Sequence, residues 1–208
     1  MNNHTEDQDD YIEDEGHQLE AGRQAIEQGD YSAALEYLEE YLEEHPLDVE
    51  TLILAALAAA HLGDSAKAAA LYGLVLRLDP GNGTAHHSFG MLLEEVGHFD
   101  EALAHFHRAR ELQPDFPEIY IHTANVLDRL GRTEEALLQY DEALQHLADE
   151  GAVYYNRARI FARRGKVRLA LRDLRQAAES DRRYLEAARK DASFDAVRNS
   201  SSFRRLLA

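Results

Sequence analysis

Histidine is the residue type that first suggests chemistry in this chain, since 11 residues are histidine and none is cysteine. The segment "AHHSFG" contains His86 and His87, and the segment "AHFHRA" contains His105 and His107. A zinc site needs three or four convergent ligands. No two histidines have the i, i+4 spacing of a helical zinc motif with a third ligand nearby. We therefore expect no metal, and we interpret His86 and His105 as buried packing residues.

Other catalytic patterns are also missing from the sequence. The segment "GNG" at residues 81–83 is a turn after Pro80 with no strand before it, so it does not predict a phosphate-binding loop. Serines lie at helix starts or in the tail, and no carboxylates are predicted to converge. The lack of cysteine removes disulfides and thiolate catalysis. We expect a protein that is not an enzyme and needs no cofactor.

The most regular feature of the sequence is a repeat of 34 residues. Glycines recur at positions 29, 63, 97, 131 and 165, and an alanine follows each glycine by five residues. Seven residues before each glycine the side chain is small, as at Gly90, and nine residues after it the side chain is bulky and apolar, as at Phe106. Such a strict period is typical of helical repeat proteins.

Each repeat unit is predicted to form two antiparallel helices. Apolar residues fall at helical spacing on both sides of each glycine, which we interpret as the C-terminal cap of the first helix. The second helix begins at a capping residue, which we assign to Asp30 or Ser32, to Asp64 or Ser65, and to Thr133. Small residues such as Gly90 and Ala102 allow the two backbones to approach closely.

This pattern resembles the tetratricopeptide repeat family. The resemblance covers about residues 15–184, as units 15–48, 49–82, 83–116, 117–150 and 151–184. It implies an all-α fold, namely a right-handed superhelical solenoid of antiparallel helix pairs. It also implies that the first helix of each pair lines a concave groove that binds peptides or partner proteins.

The resemblance also indicates which residues line that groove. Asn125 and Asn156 match asparagines with which the family often holds a peptide backbone. The lysine with which some members clamp a C-terminal carboxylate is replaced by Ile121, although Arg159 and Arg163 could bind a carboxylate with another geometry. We expect His87 and His122 to make binding depend on pH. The principal predicted groove residues are Ile53, Leu57, His87, Met91, Ile121, His122, Asn125, Arg129, Tyr155, Asn156 and Arg159, and the same inner face is predicted to include Ser88 and Glu95.

The two ends of the chain differ from the repeats. Residues 1–14 hold six acidic residues and no basic residue, so we predict a disordered acidic tail. Residues 185–208 are predicted to form a capping helix followed by an irregular tail, with Phe194, Val197 and Phe203 among its apolar anchors. Such a segment can cover the open face of the last repeat.

Charge is unevenly distributed along the chain. Residues 1–50 hold 17 acidic and 1 basic side chains, whereas residues 151–208 hold 6 acidic and 15 basic side chains. The chain as a whole has a net charge of −17 and no long apolar run, so we expect no membrane span, and the negative charge disfavours nucleic-acid binding. We expect a cytoplasmic location, because the N-terminus lacks the features of a targeting segment.

The sequence leaves three functions open. The first is a protein-protein interaction scaffold or adaptor that binds a peptide or partner segment in its concave groove and helps to assemble a complex. The alternative is a structural protein that self-associates, either head to tail through its opposite charges or through its C-terminal cap. The third is binding of RNA or another anion by the arginine-rich fifth repeat.

Overall fold

The protein is all-α in the residues that its computed structural model describes, 6–147 and 151–207, with side chains described from residue 16. The chain divides into two compact units, Met1–Gln113 and Pro114–Ala208. The N-terminal unit consists of three helix pairs. Its helices are α1 Glu6–Glu27, α2 Tyr31–Glu44, α3 Val49–His61, α4 Ser65–Leu78, α5 Gly83–Glu95 and α6 Phe99–Leu112.

The C-terminal unit consists of two helix pairs followed by a series of short helices. Its paired helices are α7 Glu118–Arg129, α8 Thr133–Ala143, α9 Gly151–Arg163 and α10 Val167–Ser180. The chain then forms α11 Arg183–Lys190, a 3-10 turn at Ala192–Phe194, α12 Asp195–Arg198 and α13 Ser201–Leu206. The predicted end of the fourth repeat, at residue 150, lies outside the described residues.

The repeated glycines form the turns within the helix pairs, as predicted. All five have a positive φ, between 64° at Gly165 and 84° at Gly97, a conformation that costs glycine little because it has no Cβ. The side chains of Asp30 and Asp64 cap α2 and α4 by accepting from backbone N–H groups. The prediction for Thr133 was wrong, since Arg132 occupies the N-cap of α8 and makes no side-chain cap bond.

Close packing within a pair explains the small residues. A Cβ on Gly90 would lie 2.6 Å from Cε1 of Phe106, so the phenyl ring of α6 occupies the space above that glycine. Likewise, a Cβ on Gly22 would lie 2.7 Å from Cδ2 of Leu38. Ala34, Ala68, Ala102, Ala136 and Ala170 are all fully buried. The small-residue prediction is therefore confirmed by the packing.

The start of the chain differs from the prediction. We expected disorder over residues 1–14, whereas α1 begins at Glu6, and residues 1–5 lie outside the described residues. Glutamate and glutamine are good helix formers, and acidic side chains in the first turns interact favourably with the helix dipole. Excess charge disfavours packing into a core, but it does not prevent a helix.

The C-terminal segment is helical instead of irregular, and its apolar residues are buried. Phe194, Val197 and Phe203 share a core with Leu171 and Leu174 of α10. The rings of Phe194 and Phe203 lie 5.8 Å apart. This segment covers apolar surface of the last helix pair that would otherwise be exposed to water.

A buried ion pair joins three helices of the C-terminal unit. Arg157 of α9 donates two hydrogen bonds to Asp173 of α10, with Nε–Oδ2 at 2.6 Å and Nη2–Oδ1 at 3.2 Å. Arg157 also pairs with Asp141 of α8. Burial opposes its charge, but the hydrogen bonds and negative charges of the two aspartates raise the pKa of Arg157. No local sequence pattern predicts this network, because both aspartates lie 16 residues from Arg157 in the chain.

Candidate functional site

Helices α3 and α5, each the first helix of its pair, contribute most of the lining of an open cavity of about 190 Å³ in the N-terminal unit. Leu57 and Met91, both predicted groove residues, lie in it together with Leu92. The other lining residues are Ala60, His61, Tyr72, Ser88 and Glu95. The cavity therefore has an apolar part and a polar edge. We refer to these eight residues as the N-terminal pocket.

Tyr72 is a pocket residue that was not among the predicted groove residues. It belongs to the second helix of its pair, where the sequence indicated only a bulky core position. Burial raises the pKa of Tyr72 to about 12, although its hydrogen bond with Ser88 acts in the opposite direction. The phenol is therefore neutral at physiological pH and can serve as a donor within the pocket.

His87 was wrongly predicted as an accessible groove residue. It is only 8% exposed, and its ring lies 6.0 Å from that of Phe106 on the paired helix α6. The side chains of α5 that line the pocket and are accessible are Ser88, Met91 and Glu95, and Ser88 is the neighbour of His87 in sequence. One residue turns a side chain by about 100° around a helix. The equivalent residues of the neighbouring repeats, Ile53 and Ile121, are half-buried and so more accessible than His87.

Leu57 and Met91 occupy the same position of the 34-residue repeat. In the C-terminal unit that position is occupied by polar residues. Counting 34 residues forward from Met91 leads to Asn125 and then to Arg159. Oδ1 of Asn125 accepts from the Tyr140 hydroxyl at 2.6 Å and from Nδ2 of Asn156 at 3.4 Å. Nη1 of Arg159 in turn donates to Oδ1 of Asn156 at 3.4 Å. We call Tyr140, Asn125, Asn156 and Arg159 the polar ladder.

The C-terminal segment occupies the end of the polar ladder. Nε of Arg159 lies 2.9 Å from Oδ2 of Asp191, which also accepts from the Tyr155 hydroxyl at 3.1 Å. Burial opposes the charge of Asp191, but hydrogen bonds from Ser193 and the charge of Arg159 keep its pKa below the usual value. Burial and the negative charge of Asp191 raise the pKa of Tyr155 to about 12. Tyr155 also packs 5.2 Å from the ring of Tyr184, so it belongs mainly to the cap.

Both arginines that could receive a ligand carboxylate are already paired within the protein. Arg159 contacts Asp191, and Nη2 of Arg163 lies 2.6 Å from both carboxylate oxygens of Asp128. A ligand carboxylate would have to displace an internal one, so this predicted role is disfavoured. The remaining predicted residues, His122 and Arg129, are half-buried and exposed respectively.

The histidines of α5 and α6 pair with each other. Nδ1 of His86 lies 3.0 Å from Nδ1 of His105, and Nε2 of His86 lies 3.3 Å from the carbonyl of Pro80. The ring of His105 packs 4.7 Å from that of Phe89. Burial and the nearby His86 lower the pKa of His105, with Glu101 acting in the opposite direction. No three metal-ligating side chains converge in the part of the chain that the structure describes.

A family model identifies the repeat. The model described as tetratricopeptide repeat matches residues 19–83 and 88–152, more than half of the chain. The chain belongs to the tetratricopeptide repeat family. Comparison with curated proteins finds no match.

Solved structures of other tetratricopeptide repeat proteins share the fold. MamA from Desulfovibrio magneticus RS-1, residues 41 to the end, aligns with a TM-score of 0.73 and 20% identity, over 81% of this chain and 96% of that chain. TTC0263, a thermophilic protein of Thermus thermophilus, aligns with a TM-score of 0.68 and 22% identity, over 83% of this chain and 98% of that chain. At these identities the similarity shows the helical-repeat fold alone. Among the described residues, no helix is long and apolar enough to span a membrane.

Proposed function

We propose that this protein is a non-enzymatic interaction scaffold that binds an extended or helical segment of a partner protein through the inner faces of its repeats. Tetratricopeptide repeats mediate protein-protein interactions, and the chain matches the family over most of the proposed repeats. We assign five repeats to residues 15–184. A cytoplasmic location is part of the same proposal and is checked by cell fractionation.

The N-terminal pocket is the observation that carries this proposal. Its volume of about 190 Å³ is several times the share of about 30 Å³ that one water molecule takes in the liquid. An apolar side chain of a partner would be in contact with Leu57, Met91 and Leu92 and would be removed from water. Met91 adapts to differently shaped ligands because its side chain is unbranched. Ser88 and Glu95 at the edge can hydrogen-bond to polar groups next to that anchor.

The polar ladder of the C-terminal unit is a separate candidate site, suited to a peptide backbone. Both described hydrogen bonds to the Asn125 amide go to its oxygen, so the two N–H donors of Nδ2 have no protein partner among the described residues. Such donors can bind backbone carbonyls of a peptide without selecting its side chains. The N-terminal pocket would therefore select an apolar side chain, whereas Asn125 would bind a peptide backbone independently of its side chains.

The experiment selects ligands from a randomised peptide display library with the intact protein. We expect the selected peptides to share an apolar anchor residue, and we expect Met91→Arg to weaken their binding at least about tenfold, because a buried charge replaces an apolar contact. Leu47→Arg is the matched control, since Leu47 is 61% exposed and lies outside the pocket. Asn125→Ala should weaken the peptides that bind the C-terminal unit to a similar extent, whatever their side chains.

The outcome of this experiment can exclude the proposed site. Peptides that bind the Met91→Arg and Asn125→Ala variants as tightly as the intact protein would show that the inner faces are not the binding surface. The far-ultraviolet circular dichroism of each variant must match that of the intact protein, so that lost binding is not lost folding. Self-association remains the alternative, and the opposite charges of the two chain ends favour it.

A further inference from the structure

A larger cavity lies between α10 and α13, and none of the predicted groove residues lines it. Its volume is about 670 Å³. Its lining residues are Arg168, Leu169, Leu171, Arg172 and Arg175 of α10 and Ser202 of α13. We call it the arginine cavity. It belongs entirely to the C-terminal unit.

The three arginines present their charges on one face of α10. Positions 168, 172 and 175 follow the i, i+4, i+7 spacing that aligns side chains along a helix. Arg172 lies 2.9 Å from Asp173, but the charge of that buried carboxylate is already matched by Arg157. Arg168 and Arg175 are exposed and make no ion pair with any described residue. The cavity therefore has an excess of positive charge that an anionic ligand can neutralise.

The cavity also has an apolar component, which distinguishes it from a simple cluster of surface charges. Leu169 is 36% exposed, although it is a large apolar side chain. Leu171 forms part of the same lining and belongs to the core of the last helix pair. A ligand that combines several carboxylates with one or two apolar side chains would match this surface better than an inorganic anion would.

The first helix of the chain begins with a segment of that composition. Residues 6–15, "EDQDDYIEDE", contain seven acidic residues and no basic residue, together with the adjacent apolar pair Tyr11 and Ile12. Their backbone is the start of α1. Ten helical residues extend about 15 Å, and the seven-residue step from Arg168 to Arg175 covers about 10 Å. The segment is therefore long enough to contact all three arginines.

We propose that the arginine cavity binds the acidic N-terminal segment, residues 6–15, of a second copy of this chain. The segment and the cavity are different surfaces, so the contact is heterologous and joins copies head to tail. Because the guanidinium groups of Arg168, Arg172 and Arg175 are exposed to solvent, the association weakens as salt is added. This contact does not involve the inner faces proposed to bind a partner, so either proposal can fail without the other.

The first test measures binding of a fluorescein-labelled peptide with the sequence of residues 1–15 to the full chain by fluorescence anisotropy. We expect saturable binding at low salt that Arg168→Glu/Arg175→Glu weakens at least about tenfold, because two attractive contacts become repulsive. Arg182→Glu/Lys190→Glu is the control, since it changes the net charge equally at two exposed sites, the N-cap and the last residue of α11. A peptide with Tyr11 and Ile12 replaced by serine should also bind more weakly. Absence of binding, or equal loss in both double variants, would overturn the proposal.

The second test determines the molar mass of the full chain by light scattering as concentration and salt are varied. We expect the mass to rise above the monomer value of 23.5 kDa with concentration at low salt, and to return to it with added salt or in Arg168→Glu/Arg175→Glu. Asp9→Lys/Asp10→Lys should also be monomeric, and a mixture of the two double variants should form mixed dimers. A monomer under all conditions, with the labelled peptide still bound, would show that the segment docks on its own chain and not on a second copy.

Discussion

Removal of the Asp173 carboxylate provides a sharp test of how the C-terminal unit is held together. Asp173 is fully buried, and the side chain of Arg157 is only 10% exposed. In Asp173→Ala the guanidinium group stays buried and loses two hydrogen bonds and its main counter-charge. Breaking a buried ion pair by removing one partner costs about 3–5 kcal/mol. We expect Asp173→Ala to lower the free energy of unfolding of this unit by that amount.

Asp141 is the matched comparison within the same network. It also pairs with Arg157, but its side chain is 56% exposed, so water can replace the lost contact. Exposed ion pairs contribute about 0–1 kcal/mol. We therefore expect Asp141→Ala to cost no more than about 1 kcal/mol. The large difference between two aspartates that bind one arginine follows mainly from burial, since Asp173 is buried and Asp141 is 56% exposed.

Urea unfolding followed by circular dichroism measures these differences, and hydrogen exchange of the amides in α9 and α10 assigns them to the C-terminal unit. The double variant Arg157→Met/Asp173→Leu should recover most of the loss, since an apolar pair of similar volume carries no buried charge. If Asp173→Ala were no more destabilising than Asp141→Ala, or if the double variant were as unstable as Asp173→Ala, the reasoning would be wrong.

Three further perturbations test other parts of the fold. Gly97→Ala should cost about 1 kcal/mol in urea unfolding because φ is +84°, whereas Gly73→Ala within α4 should stabilise by about 0.5–1 kcal/mol. Because the pKa of His105 is lowered from 6.5 in the folded protein, its contribution to stability is complete above pH 6.5 and is lost as pH falls through the lowered value. The stability difference between the intact protein and His105→Phe should decrease in that range, and a constant difference would contradict the assignment. Phe203→Ala should cost about 3–5 kcal/mol and reduce hydrogen-exchange protection in α10 first, while unchanged protection there would argue against the capping role of α13.

Much of the architecture could be predicted because a strict repeat imposes the same local rules several times. The positive φ of Gly29, Gly63 and the other three glycines follows from the need to reverse the chain with no Cβ in the way. Gly90 had to be small because Phe106 occupies the adjacent space. These are local constraints within one helix pair, and their repetition in the sequence makes them recognisable.

The candidate site could be predicted only in part. Leu57, Met91 and Asn125 were found because they share one position in the repeat, but His87 was assigned to the wrong face. Adjacent residues of a helix can differ, one being buried and the next accessible. His87 is the buried one because its ring packs against Phe106. The sequence pattern locates a helix face to within about 100°, which is not precise enough to separate these neighbours.

The pairing of charges was decided by the tertiary structure alone. The amino-acid sequence shows that basic residues concentrate after residue 150, but it does not distinguish Arg157, which is buried, from Arg159 and Arg163, which pair with Asp191 and Asp128. Repeat periodicity determines which helices form and how each pair turns, because those depend on neighbours in sequence. Which charges are neutralised depends on contacts between residues 16 to 35 positions apart, and only the folded chain brings these together.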